Sequence, residues 1–466
     1  MSTKRSPQLD KAVSPQDRKA KGKSIRKTVP RSSHGEWSPP ADRQDPVDVI
    51  TSQDTNRVQW LVPIRHGRMS ESPFSFYRGA AKIMAADLSR TPKNGLNTQI
   101  CGDGHLANFG SYASPDRRQV FDVNDFDETL PGPWEWDLKR LAASVVLAGR
   151  DNEFDEGDIK PATLQAVAGY REAMAKFAEE RTLDIWYWQL SLEQIMEAMP
   201  TKQDQKALKK GAKKARSKDS LKAQSKLAEK VNGVYRIKSE PPLLLPLREL
   251  AGSQNPDDMR AQVDDSLSSY RATLPDNRRV LFDRFTLVDI ALKVVGVGSV
   301  GTRCMIVLFQ GRDDEDPLFL QIKEATDSVL EDHLPKSRYQ EHGHRVVAGQ
   351  RLMQASSDIF LGWTVHLDSE WHYYWRQFHD MKGSFDVAAM NPQQLASYAG
   401  LCGSTLAHAH ARSGDPIAIA GYLGSGEVFD HAVKDFAFDY ADQNDKDYKA
   451  FVAAIKSGKI QATTGE

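Results

Sequence analysis

The run GVGSVG at positions 296–301 narrows the folds open to this chain more than any other stretch, because of the residues directly after it. A G-x-G-x-x-G run bends sharply and lets backbone amides approach a phosphate, and two unrelated architectures use it. In a dinucleotide-binding fold the run opens a helix. Here the next residues, TRCMIVLF, are β-branched and apolar; a polar turn, QGRDDEDP, and a second apolar run, LFLQIKEA, complete the pattern. Strand, turn and strand point away from a dinucleotide fold, and so from a Rossmann oxidoreductase. The second strand holds Lys323 between apolar neighbours, the setting of a placed ammonium rather than a solvated one.

That continuation is how the Gly-rich loop of a kinase proceeds, with a lysine on the next-but-one strand to pair the nucleotide phosphates. Gly296, Gly298, Ser299, Gly301 and Lys323 are therefore the expected nucleotide-binding residues. Kinases also pair this lysine with a glutamate on the following helix. In SRYQEHGHRVVAGQRLMQ that glutamate would be Glu341, with Glu331 as the alternative. The strand at 371–378, WHYYWRQF, would then link two lobes beside the adenine.

The rest of the catalytic equipment lies upstream, in CGDGHLANFG (101–110). A kinase loop sets an Asp to accept the substrate hydroxyl proton and, five residues on, an Asn to bind magnesium. Asp103 and Asn108 have that spacing. Seventeen residues after Asn108 comes Asp125 in VNDFDE, where a strand ending in Asp-Phe carries the main metal-binding carboxylate. Alone, DGHLAN reads as a turn with a satisfied Asp; with NDFDE at the right distance the metal reading wins. Hard Mg²⁺ takes oxygen ligands and usually one or two carboxylates. The kinase parts are thus present in rotated order, base and metal elements first (101–137), Gly loop, lysine and hinge later (296–378).

Charge and composition set further bounds. The formal net charge of −1 gives no global field for nucleic acid or anionic membrane, and neither is expected as a partner. Residues 1–45 are rich in Lys, Arg, Ser and Pro and read as a disordered basic tail without a signal-peptide core. Three unpaired cysteines and no apolar run of membrane length suit a cytoplasmic protein. Residues 72–88 read as one amphipathic helix. The basic run 206–230 reads as a solvated helix face. His408 and His410 are two apart and face different ways on a helix, so no metal site is expected there. Arg65 and Arg78 either face an anionic substrate or pair with carboxylates.

The stretches LVPIRHGRM, SPFSFYRGAA, CGDGHLANFG, FDVNDFDETLPGPWEWDLKRLAAS, KVVGVGSVGTR, LFLQIKEA and GQRLMQASSD resemble the DUF2252 family of uncharacterised bacterial proteins from about Trp37 onward. The catalytic block also resembles, more distantly, the aminoglycoside phosphotransferase and choline kinase group, with its HGDxHxxN loop, IDF strand and DLA helix start. That resemblance implies Asp103 as base, Asn108 and Asp125 as metal ligands, His105 as a buttress of the loop, and Asp137 as a tie between loop and helix. Cys101 departs from the histidine usual there. The expected fold is α+β, a protein kinase-like two-lobed architecture with circular permutation. It divides into the tail 1–45, a helical catalytic lobe 46–279, a β-rich nucleotide lobe 280–380 and a helical part 381–466 packed on the catalytic lobe. The expected activity is ATP- and Mg²⁺-dependent phosphoryl transfer to an unidentified hydroxyl acceptor, small molecule or protein. Alternatives are AMP transfer on the same fold, or a nucleotide-binding pseudoenzyme or scaffold.

Overall fold

A computed structural model describes residues 13–198, 202–250, 256–364, 371–378 and 380–463. The elements that position the site are, in chain order, helices α1 (Pro15–Ile25) and α2 (Pro73–Gly79), and strands β1 (Asn97–Ile100), β2 (Phe109–Ala113), β3 (Gln119–Val123) and β4 (Leu130–Pro133). Helices α3 (Trp134–Asp151), α4 (Glu156–Phe177) and α5 (Lys202–Arg216) come after them. Strands β5 (Leu244–Pro246), β6 (Thr286–Lys293), β7 (Cys304–Gln310) and β8 (Pro317–Ala325) precede helix α6 (His342–Met353). Strands β9 (Gly362–Thr364) and β10 (His372–Gln377) come next, then helices α7 (Pro392–Ala411), α8 (Pro416–Leu423) and α9 (Val428–Lys456). The fold is α+β.

Helix α3 is the axis of the helical body. Glu135 and Asp137 occupy its first turn, where negative charge meets the positive end of the helix dipole. Every residue from Trp134 to Gly149 is buried. Such all-round burial needs helices on several sides, and α4, α7 and α9 supply them, sharing one apolar core with α3. Helix α7 starts with a reciprocal cap between Asn391 and Gln394 and has Pro392 at its first position.

The apolar alternation from 286 onward becomes a six-stranded antiparallel sheet in the order β9-β10-β8-β7-β6-β5. Its faces are covered by different segments. Tyr270, Phe282 and Phe360 pack against Trp375 on one side, and Ala223, Leu227 and Ile237 against Phe319 on the other. The sheet layer therefore reaches back well before the expected boundary at 280. The covering helices have ordinary helical periodicity, so nothing in their sequence ties them to the sheet rather than to the helical body.

Two expectations are corrected. The described part of the expected tail is ordered: α1 lies along α8, with Gly22 so close to the Ala418 carbonyl that a Cβ would sit 2.0 Å from it. Arg26 donates to the carbonyls of Tyr422 and Gly421, Arg31 to that of Leu423, and Arg18 pairs with Asp415. Docking through arginine and carbonyl groups leaves no apolar signal to read. Residues 1–12 of that tail lie outside the described residues. The helix expected over 72–88 is two helices, Pro73–Gly79 and Ala81–Ser89, parted where Ala80 leaves helical geometry (φ −107°, ψ 28°) after the weak helix former Gly79. Among the described residues no helix is long and apolar enough to cross a membrane.

Candidate active site

The loop Cys101–Asn108 joins β1 to β2, and its backbone is held from three sides. The Asp137 carboxylate accepts from the amides of Cys101 (2.7 Å) and Gly102 (2.9 Å). His410 Nε2 lies 3.2 Å from that carboxylate, and its Nδ1 lies 2.9 Å from the Tyr170 hydroxyl. Ser144 Oγ accepts from the Leu106 amide, and Tyr398 donates to the carbonyls of Leu106 and Phe109. Charge-assisted bonds to backbone amides are the strong kind, and these fix the loop on α3 and α7. Cys101 is buried, and both its amide and its thiol face the Asp137 carboxylate.

Asp103 faces Arg140 of α3, a contact that leaves no signal in the sequence. Arg140 Nε donates to Asp103 Oδ1, its Nη2 donates to the Tyr77 carbonyl, and the guanidinium sits 4.4 Å from the centre of the Tyr77 ring. Burial pushes the Asp103 carboxyl up to about 7 against the pull of Arg140. His105 Nε2 is 3.7 Å from Asp103 Oδ2, too far for a hydrogen bond. Burial, with Arg78 and Arg140 nearby, holds this imidazole well below its usual pKa, so it is neutral. It packs edge-on against Phe74 and forms a wall of the loop.

Asn108 connects the two carboxylate neighbourhoods. Its Nδ2 donates to the carbonyls of Asp103 (3.0 Å) and Asp125 (3.1 Å). Its Oδ1 is buried and has no partner. An orphaned amide oxygen is a donor suited to a hard cation.

The sheet contributes Lys323, its side chain 3% exposed, from the middle of the wholly buried strand β8. The ammonium lies 2.6 Å from Asp127 Oδ2 and 3.3 Å from Asp125 Oδ1. Tyr374 of β10 donates to the other oxygen of Asp127 at 2.7 Å. Burial alone would raise Asp125, but Lys323, Arg376 and Lys382 together hold it well below the usual carboxylate range. Burial, then Arg376, lowers Lys382 to about 7, with Asp125 pulling the other way.

The pairing of Lys323 with Glu341 does not occur. Glu341 stands just before α6 and lies 3.1 Å from His372 Nδ1. The alternative, Glu331, caps Ser328 and faces Arg345 at 3.8 Å. Helix α6 turns Arg345 toward the site instead, donating to the carbonyls of Asp127, Thr129 and Thr326. The glutamate at the helix start points at the first residue of β10, and the lysine is held by Asp125 and Asp127, which come after β3. Asp327, Glu331 and His342 form a separate cluster, but Glu331 is already engaged by Ser328, Ser337 and Arg345.

Gly296, Gly298, Ser299 and Gly301 make up the turn between β6 and β7. Gly296 and Gly301 have φ of +70° and +90°, which favours glycine. The turn reaches over to the helical body: Gly298 lies against the Arg78 carbonyl, and Arg68 donates to the Gly296 carbonyl. Val297 and Val300 are buried there. Of the two arginines with open roles, Arg65 is structural, buried and paired with Asp54 at 2.8 Å. Arg78 makes no ion pair among the described residues, and its Nε is buried without a partner.

A family model described as an uncharacterised protein conserved in bacteria (DUF2252) matches residues 57–454. No curated protein and no solved structure matches the chain.

Proposed function

The chain belongs to the DUF2252 family, and from its site we propose that it is an ATP- and Mg²⁺-dependent phosphotransferase of permuted, kinase-like fold. One observation carries the reading. Lys323, from the strand after the Gly-rich turn, meets Asp125 from the N-terminal half, while Asn108 joins Asp125 to Asp103. This is the convergence phosphoryl transfer requires, with positive charge for the phosphates, oxygen donors for a cation and a carboxylate for the acceptor proton.

In this mechanism Asn108 Oδ1 and the Asp125 carboxylate would hold Mg²⁺, which when bound neutralises phosphate oxygens. Lys323, anchored by Asp127 and Tyr374, turns its ammonium to the nucleotide phosphates. Lys382 and Arg376 add positive charge on the hinge side. Asp103 orients the acceptor hydroxyl and takes its proton as the oxygen bonds the γ-phosphorus and the bond to ADP breaks. With its pKa near 7, Asp103 is poised between holding and releasing a proton at neutral pH. Arg140 fixes the carboxylate's direction.

The site departs from the kinase pattern in having no glutamate on the helix after the lysine. Asp127 serves as the anchor, and it lies so close after Asp125 that one turn supplies both metal ligand and lysine partner. The test is a product assay with acceptor panels. ADP formation, lost in Asp103→Asn, supports phosphoryl transfer; pyrophosphate formation contradicts it in favour of nucleotidyl transfer, and ATP left intact by all panels contradicts both.

A further inference from the structure

A cavity of about 570 Å³ opens beside the catalytic loop, a size suited to a small-molecule ligand. Ala107 of the loop forms one wall, α2 with Arg78 another, and segment 383–388 a third. The fourth wall is the C-terminal end of the basic helix α5 and the residues after it, with Lys214 and Lys218. The basic helix, expected to be a solvated face, thus reaches over the site.

Arg78, Lys214 and Lys218 line this cavity without an ion pair among the described residues. Arg78 lies close enough to Asp103 to feel its charge. Lys218 is lowered by burial and then by Lys214 and Lys226, so the lysines repel one another where they stand. Two carboxylates share the cavity but do not neutralise these cations. Asp151 is engaged by Ser72 and the Phe74 amide, and Asp386, which makes no side-chain bond to the turn it precedes, forms no ion pair with Arg78, Lys214 or Lys218 among the described residues. Cations that line one cavity without an ion pair call for an anion. A carboxylate would satisfy one of the three, whereas a phosphate monoester brings about −1.5 to −2 charges and three acceptor oxygens.

We propose that this cavity is the acceptor site, and that the acceptor is a small hydroxylated molecule already carrying a phosphate monoester. Its phosphate lies between Arg78 and the lysines, and its free hydroxyl points past Ala107 to Asp103. The inference rests on reading Asp103 as the base, since only then does the adjoining cavity belong to the acceptor.

The test titrates inorganic phosphate, and separately acetate, into the full chain by calorimetry. The double variant Lys214→Glu, Lys218→Glu and the variant Asp125→Ala are titrated beside the wild type. Lys214 is exposed and Lys218 half-buried, so the single variant Lys214→Glu is titrated as well and is expected to weaken phosphate binding in the same direction. Phosphate is expected to bind the wild type more tightly than acetate, to weaken by about tenfold or more in the lysine variant, and to be unaffected in Asp125→Ala. No phosphate binding, equal binding of acetate, or phosphate binding lost in Asp125→Ala but kept in the lysine variant each overturns the proposal. Mg-ATP titrated into the same proteins separates this from the broader reading. Phosphate binding as expected, with no ATP binding to the wild type, overturns the phosphotransferase and the acceptor role with it. ATP binding that only Asp125→Ala abolishes, with no phosphate binding, overturns the acceptor class alone.

Discussion

Asp103 and Asp125 are both aspartates at the ends of short strands, linked by one asparagine, yet their surroundings push them in opposite directions. Asp103 is deeply buried, with Arg140 in contact, Arg78 beyond ion-pair distance and the carboxylates Glu128 and Asp125 in reach, and the carboxyl rises to about 7. Around Asp125 there are Lys323, Arg376 and Lys382, and the carboxyl stays ionised. A pair of titratable groups driven apart by their environments marks one for proton transfer and one for fixed charge. The residue type is the same; the balance of burial and neighbouring charge sets each carboxyl's direction, and with it the role each has in the proposed mechanism.

Replacing each neighbourhood's key group should break the comparison differently. Asp103→Asn should lower turnover by about 10³-fold with nucleotide affinity unchanged, read by steady-state kinetics beside calorimetry. Lys323→Met should act on the other neighbourhood, weakening nucleotide binding by about 100-fold, because it leaves Asp125 and Asp127 without their shared cation. Arg140→Gln tests what holds Asp103. Removing the opposing charge should raise the Asp103 pKa further, by about 1–3 units, and move the acid limb of the pH–rate profile upward. In the wild type that limb should lie near pH 7, activity rising as the carboxylate ionises.

The same raised pKa bears on stability. A carboxyl raised on folding contributes stability that is fully present below its unfolded pKa and lost as pH rises through about 7. Arg140→Gln should steepen that loss, measurable by denaturant titration between pH 4 and pH 8. Glu341→Gln should have the smallest effect, less than about 1 kcal/mol on stability and none on nucleotide affinity, since its contact is with His372.

The order of these effects tracks how much of the site is legible in the sequence. Asp103, Asn108 and Asp125 belong to one continuous stretch, where spacing alone carries geometry, and the structure brings them together. Lys323 is legible because a charge in a buried strand has few alternatives. The illegible part depends on contacts between distant segments. Arg140 looks like any polar position of a helix whose remaining faces are apolar, and only the burial of α3 on all sides turns it into a partner for Asp103. Glu341 stands in the right place after Lys323 by sequence, but the helix starts one residue later and points it away. The cover of the sheet by residues 223–237 and 270–282 and the docking of α1 on α8 rest on helix faces and on backbone carbonyls, which leave no distinctive pattern.

In the proposed function, residues from opposite halves of the chain form one magnesium–nucleotide site. Calorimetry of ATP binding to the full chain, with and without Mg²⁺, beside Asp125→Ala, tests it most directly. Binding should require Mg²⁺ and disappear in the variant. ATP binding that ignores both Mg²⁺ and Asp125, or no binding to the wild type, would contradict the claim.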